Sequence, residues 1–338
     1  MNDIRNISTE FERASRINEC FHYDKNSCSI RIIKAHSVSE SSNLNLIKEE
    51  VMSQVGVYST SYKEWEIKEN RRFHKPKIVG VSKASTFKGF CETHDKLFSD
   101  AFESKLFDPS NKEHLFLHVY RSHAREYHRK IEECKGVKEL LKKGIRVMSN
   151  NDLNSTMLGV IEMEVVKDRL NQILRDKEYD KLIYKVVKLE HVFPISCSSS
   201  FSPDYSYDGT RVNDPYSDQI MDSLFLTIFP DKRDCTYVIL GCLPEHIRSE
   251  KFIDDLPEDM EELQKAISSL IITYVGNAFF SPSLWENMSE TEKNTFRFEL
   301  QSTISEEHRR YTKGFFHCKT NLFMEKKHFN LTDPETKY

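Results

Sequence analysis

Two short stretches far apart in the chain carry the side chains that most constrain its fold. They are "CFHYDKNSCSIRIIKAHSVS", with Cys20, Cys28 and His36, and "GFCETHDKLF", with Cys91, His94 and Asp95. A structural zinc site takes four Cys or His ligands in a tetrahedron, commonly supplied as pairs from separate segments. Cys91 and His94 form a C-x2-H pair where a helix begins, so a single turn points both side chains the same way. Cys20 and Cys28 form a second pair if the Asp-, Asn- and Ser-rich segment between them turns back on itself. Its seven residues exceed the usual two to four between paired ligands, so spacing alone also admits four unrelated residues.

The rest of the composition bounds the setting. A chain of 338 residues has room for two cores, and 38% hydrophobic with 30% charged residues is ordinary for a soluble globular protein. No apolar run approaches the roughly 20 residues of a membrane helix. The start "MNDIRNISTEFERAS" is polar and carries acids, unlike a secretory signal or transit peptide, so a cytoplasmic protein is expected. In that reducing setting the eight cysteines are expected as thiols, most of them small buried hydrophobes. Charge is uneven: residues 1–150 hold 27 Lys and Arg against 21 Asp and Glu, and the remainder holds 22 against 32. A mildly basic first half suits a module that faces nucleic acid.

Periodicity predicts an α+β chain. "CSIRIIKAH" alternates as a strand, "SSNLNLIKEEVM" reads as a helix capped by Ser42 or Asn43, and 63–88 reads as an exposed basic loop or ribbon containing "RRFHKPK". A long helical pattern runs from Lys112 to about Arg146, with a break expected near Gly136. "VMSNNDLNS" then punctuates the chain, which suggests domains at 1–148 and 149–338. The second is expected to be a mixed α/β unit that senses a trigger or binds a protein partner. In it a helix places Leu158, Ile161, Val165, Leu170, Ile173 and Leu174 on one face. "LFLTIFP" and "CTYVILGCL" flank "DKRD" as an antiparallel hairpin, and Ser289 opens a capping box.

The order of these residues, "C…C…AH" followed by C-x2-H-D on a helix, resembles the HNH-type endonucleases, which are built on a treble-clef (ββα) finger. The stretch from "CFHYDKNSCSIRIIKAHSVSESSNL" to "GVSKASTFKGFCETHDKLF" is also similar to a group of bacterial proteins associated with phage-defence neighbourhoods. The resemblance covers residues 20 to about 130 best. It implies a zinc-stabilised treble clef with Cys20, Cys28, Cys91 and His94 as structural ligands. It further implies that His36 is the catalytic histidine, Asp95 a ligand of a catalytic Mg2+ or Mn2+, and Asn43 the central asparagine. The implied activity is a metal-dependent endonuclease in antiviral defence; a non-catalytic zinc module that binds a protein or nucleic-acid partner is the alternative. Two positions depart from the family pattern: Ala35 precedes the histidine where an acid is common, and Asp95 replaces a histidine. Two other roles for His36 stay open, as a zinc ligand with Cys28, Cys91 and His94, or as a hydrogen-bonded core residue.

The helix "YRSHAREYHRK" sets Arg121, Arg125 and His128 at spacings of four and three, on one face. An Arg and a His so placed resemble the R-x4–6-H motif of HEPN ribonucleases, and a solvated basic face is the plainer reading. Arg121 and Arg125, with Arg71 and Arg72 of the basic stretch, are the nucleic-acid contacts this reading offers. The chain carries neither a Walker A loop nor a dinucleotide fingerprint.

Overall fold

The first helix, α1 (Asn2–Ser15), is followed by strand β1 (Ile32–His36), a π-helical turn at Glu40–Leu44, the single turn α2 (Asn45–Ile47) and the short strand β2 (Glu49–Val51). β3 (Gln54–Lys68) and β4 (Arg71–Val79) pair as a long antiparallel ribbon. β5 (Thr86–Cys91) runs directly into α3 (Glu92–Phe98). Two long helices, α4 (Lys112–Lys142) and α5 (Asn150–Asp176), precede β6 (Ile183–Leu189), β7 (Ile195–Phe201), β8 (Leu224–Asp231) and β9 (Cys235–Cys242). The elements α6 (Ile247–Asp254), α7 (Met260–Tyr274), β10 (Ala278–Phe280), α8 (Pro282–Glu286) and α9 (Glu290–Ile304) follow. This computed structural model describes residues 2–68, 71–103, 105–215, 217, 219–304 and 314–323, and side chains at 2–6, 61–75, 150–152 and 303–304 lie outside the description.

The architecture mixes helix and strand around one large antiparallel sheet, ordered β2-β3-β10-β7-β8-β9-β6, with β4 added to β3. β1 and β5 form a separate two-stranded sheet, and α3 continues from its second strand. The expected division at residue 148 falls in the link between α4 and α5, and strands from both sides of it enter the large sheet.

Strand periodicity explains how that sheet is buried on both faces. In β8, Leu224, Leu226 and Ile228 join the core formed with α7, whereas Phe225 and Phe229 face clusters that include α4 residues. β9 alternates in the same way, with Val238 and Leu240 toward one core and Tyr237 and Ile239 toward the other. Layers on both sides turn a half-buried pattern into a nearly continuous apolar run. β8 and β9 pair in the hairpin read from sequence, with Asp231 opposite Cys235. The capping box also forms: Ser289 N donates to Glu292 Oε2 at 2.8 Å, and Glu292 N donates back to Ser289 Oγ at 3.2 Å.

Several local readings change. The helix expected over "SSNLNLIKEEVM" shrinks to the two short turns at 40–47, capped by Ser39, because Glu49–Val51 is drawn into β2 by pairing with β3. α4 does not break at Gly136. The glycine instead admits Phe11 of α1, whose ring would lie 2.6 Å from an added Cβ. On α5, Leu170, Ile173 and Leu174 are buried, whereas Leu158, Ile161 and Val165 are exposed, so the apolar face does not run the helix's full length.

Candidate metal centre

The segment between Cys20 and Cys28 folds back through its own polar side chains. Asp24 Oδ1 accepts from the backbone N–H of Asn26 at 3.0 Å and of Ser27 at 3.4 Å, and the Asp24 N–H reaches His22 Nδ1 at 3.1 Å. Lys25 Nζ donates to the Cys20 carbonyl and tightens the same loop. Phe21 N–H donates to Gly89 O at 2.7 Å, which ties the loop to β5 just before Cys91. An added Cβ at Gly89 would meet the Phe87 ring at 2.3 Å, so a larger residue there would force that ring to move. From the second segment, Cys91 stands as the N-cap residue of α3 and His94 lies in its first turn.

The four side chains converge, with ligand atoms all within 4.8 Å of one another. His94 Nδ1 lies 3.4 Å from Cys20 Sγ, 3.5 Å from Cys28 Sγ and 3.3 Å from Cys91 Sγ. A tetrahedral zinc ion with Zn–S of about 2.3 Å and Zn–N of about 2.0 Å sets sulfur and nitrogen roughly 3.5 Å apart. The donor set and its spacing therefore fit one zinc ion. Three ligands are buried and Cys28 is half-buried, so the cluster is closed on all four corners. A closed Cys3His site is the structural type and leaves no position for a reacting water.

The surroundings set the chemistry of the ligands. Ser27 Oγ lies 2.9 Å from His94 Nε2 and 3.3 Å from Asp24 O, so a hydroxyl that donates to Asp24 accepts from Nε2–H and leaves Nδ1 free to face a metal. His22 stacks on His94 with centroids 3.7 Å apart and an interplanar angle of 10°. Burial pushes the Cys20 thiol up to about 12. Burial also opposes ionisation of Cys91, but the backbone N–H of His94 and the hydroxyl and N–H of Ser29 outweigh it, lowering that thiol to about 7. Burial raises Cys28 as well. Bringing three such sulfurs together without a cation is costly as thiolates, and metal binding resolves that by releasing their protons.

His36 stands outside the cluster, on the β1–β5 sheet opposite Thr86. Its Nδ1 lies 3.2 Å from Ser85 Oγ and its Nε2 3.2 Å from Glu40 Oε2. Burial lowers its pKa, opposed by Glu40. Nearby, Arg121 is buried and its Nη2 donates to Glu103 Oε1 at 2.8 Å, with the guanidinium 4.1 Å from the Phe98 ring centroid. Burial raises the Asp95 carboxyl, with Arg121 and Glu103 as its other influences. His36, Asp95, Glu103 and Arg121 thus belong to one electrostatic neighbourhood. Asn43 donates to Pro230 O on β8 at 3.4 Å.

The basic face of α4 is not solvated. Arg121 is enclosed by the fold, Arg125 lies beside Glu126 at 3.9 Å, and His128 lies 3.5 Å from Glu132. Arg71 and Arg72 fall on β4 with side chains outside the described residues. Glu40 and Glu103 escaped the sequence reading. Glu40 had a signal, one helical turn beyond His36; Glu103 had none, since only the tertiary fold brings it to Arg121. No helix is long and apolar enough to cross a membrane among the described residues. The chain matches no protein-family model, no curated protein and no solved structure.

Proposed function

We propose that this chain is a zinc-stabilised, treble-clef-like protein that acts on nucleic acid, with His36 as the general base of a metal-dependent endonuclease. The observation that carries the reading is the two-stranded β1–β5 sheet running into α3, with the Cys3His cluster at its base and His36 at the end of β1. A base must be unprotonated near neutral pH, and burial lowers the pKa of His36 in that direction. Ala35 carries no carboxylate, but Glu40 brings one to the same imidazole. In this reading His36 takes the proton of the water that attacks phosphorus. A Mg2+ or Mn2+ ion, with Asp95 among its ligands, would supply neutralisation of the developing charge. In this reading Arg71 and Arg72, which fall on β4, are the candidate contacts to the strand.

A second reading, a non-catalytic zinc module that recognises nucleic acid or a protein partner, draws on the engagement of both His36 ring nitrogens. Cleavage of plasmid and RNA with Mg2+ or Mn2+ separates the two. On the first reading His36→Ala abolishes cleavage while zinc content and melting temperature stay at the wild-type values. Absence of cleavage by the wild-type protein on both substrates leaves the binding module.

A further inference from the structure

A cavity of 170 Å³ opens between the segment after α3, the second turn of α4, the end of β8 and the Ser42–Asn43 turn. It is several times a water molecule's share of liquid volume, about 30 Å³, and below the about 300 Å³ at which drug-sized sites begin. A ligand here is ring-sized.

The charges on its wall do not cancel evenly. Arg233 donates from Nε to Asp231 Oδ1 at 2.6 Å and from Nη2 to Asp231 Oδ2 at 2.8 Å, and Arg121 donates to Glu103. Both lining carboxylates are therefore answered by guanidinium groups. Lys105 and Lys232 also line the cavity, are exposed to solvent, and make no ion pair among the described residues. What stays uncommitted is cationic.

His118 supplies a second, independent sign. It is buried, lies face to face between Phe102 (centroids 4.2 Å) and Phe229 (4.8 Å), and lines the cavity. Its Nε2 has no hydrogen-bond partner among the described residues. Buried polar atoms are nearly always paired; this one lies beneath the cavity surface, and a ligand reaches it only where the wall yields. Burial holds this imidazole neutral, so one nitrogen donates and the other accepts. Phe107 meets the His118 ring edge-on and completes an aromatic wall.

We propose that this cavity binds a small organic anion: a flat unsaturated ring carrying a carboxylate or a phosphate. The ring packs on the aromatic wall, the anionic group meets Lys105 and Lys232, and His118 reads one polar atom. The site stands independently of any nuclease activity.

Calorimetric titration of the full-length, zinc-loaded protein tests it, with benzoate, phenyl phosphate and neutral benzamide as probes. At least one anion is expected to bind, with benzamide at least tenfold weaker; the tighter anion tells a carboxylate ligand from a phosphate one. Lys105→Ala with Lys232→Ala should weaken binding at least tenfold at unchanged melting temperature. His118→Phe keeps the ring stack and should weaken binding too. Absence of binding by both anions at millimolar concentration, benzamide binding as tightly as benzoate, or full binding by both variants would overturn the proposal.

Discussion

Ser27 Oγ and His94 Nε2 lie 2.9 Å apart, on the side of the ring away from the three sulfurs that surround Nδ1. Without it only the stack on His22 and the packing around a buried ring hold the imidazole's orientation, and Nε2 loses its partner. Removing such an outer partner typically costs 10- to 100-fold in metal affinity. Ser27→Ala is therefore expected to bind zinc about 10-fold or more weakly while keeping the same fold, as read by competition with a chromogenic chelator. Unchanged affinity would show that the stack on His22 alone orients the ring.

Arg121 is expected to act as a structural residue. Its guanidinium is buried against Glu103 and Phe98, and removal of one member of a buried pair strands the other charge. Arg121→Ala should lose roughly 3 kcal/mol of stability in urea unfolding, and adding Glu103→Gln should restore part of it. An exposed phosphate contact would instead leave stability unchanged and weaken nucleic-acid binding.

The convergence of Cys20, Cys28, Cys91 and His94 into a cluster that could hold a metal was legible in sequence because these residues are chemically distinct and the Asp24–Ser27 turn has its own local signature. The β8–β9 hairpin was legible for a similar reason, period-two alternation around a polar turn. Less could be read where tertiary contacts overrule local pattern. "SSNLNLIKEEVM" has a helical spacing, yet β3 pairs with Glu49–Val51 and makes it strand. Gly136 looks like a helix break and proves to be the place where a ring approaches. Arg121 and Arg125 look like a solvated face because sequence cannot show that α4 is covered on several sides.

Acid should destabilise the fold through its buried histidines. His123 donates from Nε2 to Met163 O at 2.9 Å and pairs with Ser200 Oγ at 3.0 Å, and burial lowers its pKa to about 4. The unfolded chain takes up this proton near pH 6.5. The stabilisation is therefore full above that pH and is lost as pH falls toward 4, at up to about 1.4 kcal/mol per pH unit for one proton. His123→Gln should show a shallower fall of unfolding free energy between pH 6 and 4, by about one proton. An identical slope would place the acid sensitivity in other groups.

Zinc content tests the centre of this account most directly. Elemental analysis of protein purified without chelators should find one zinc per chain, and Cys91→Ser should lose both the metal and the cooperative unfolding of the β1–β5–α3 unit, because binding free energy at such a site is folding free energy. A metal-free wild-type protein with a fully cooperative unfolding transition, or a Cys91→Ser variant that still carries one zinc per chain, would contradict it.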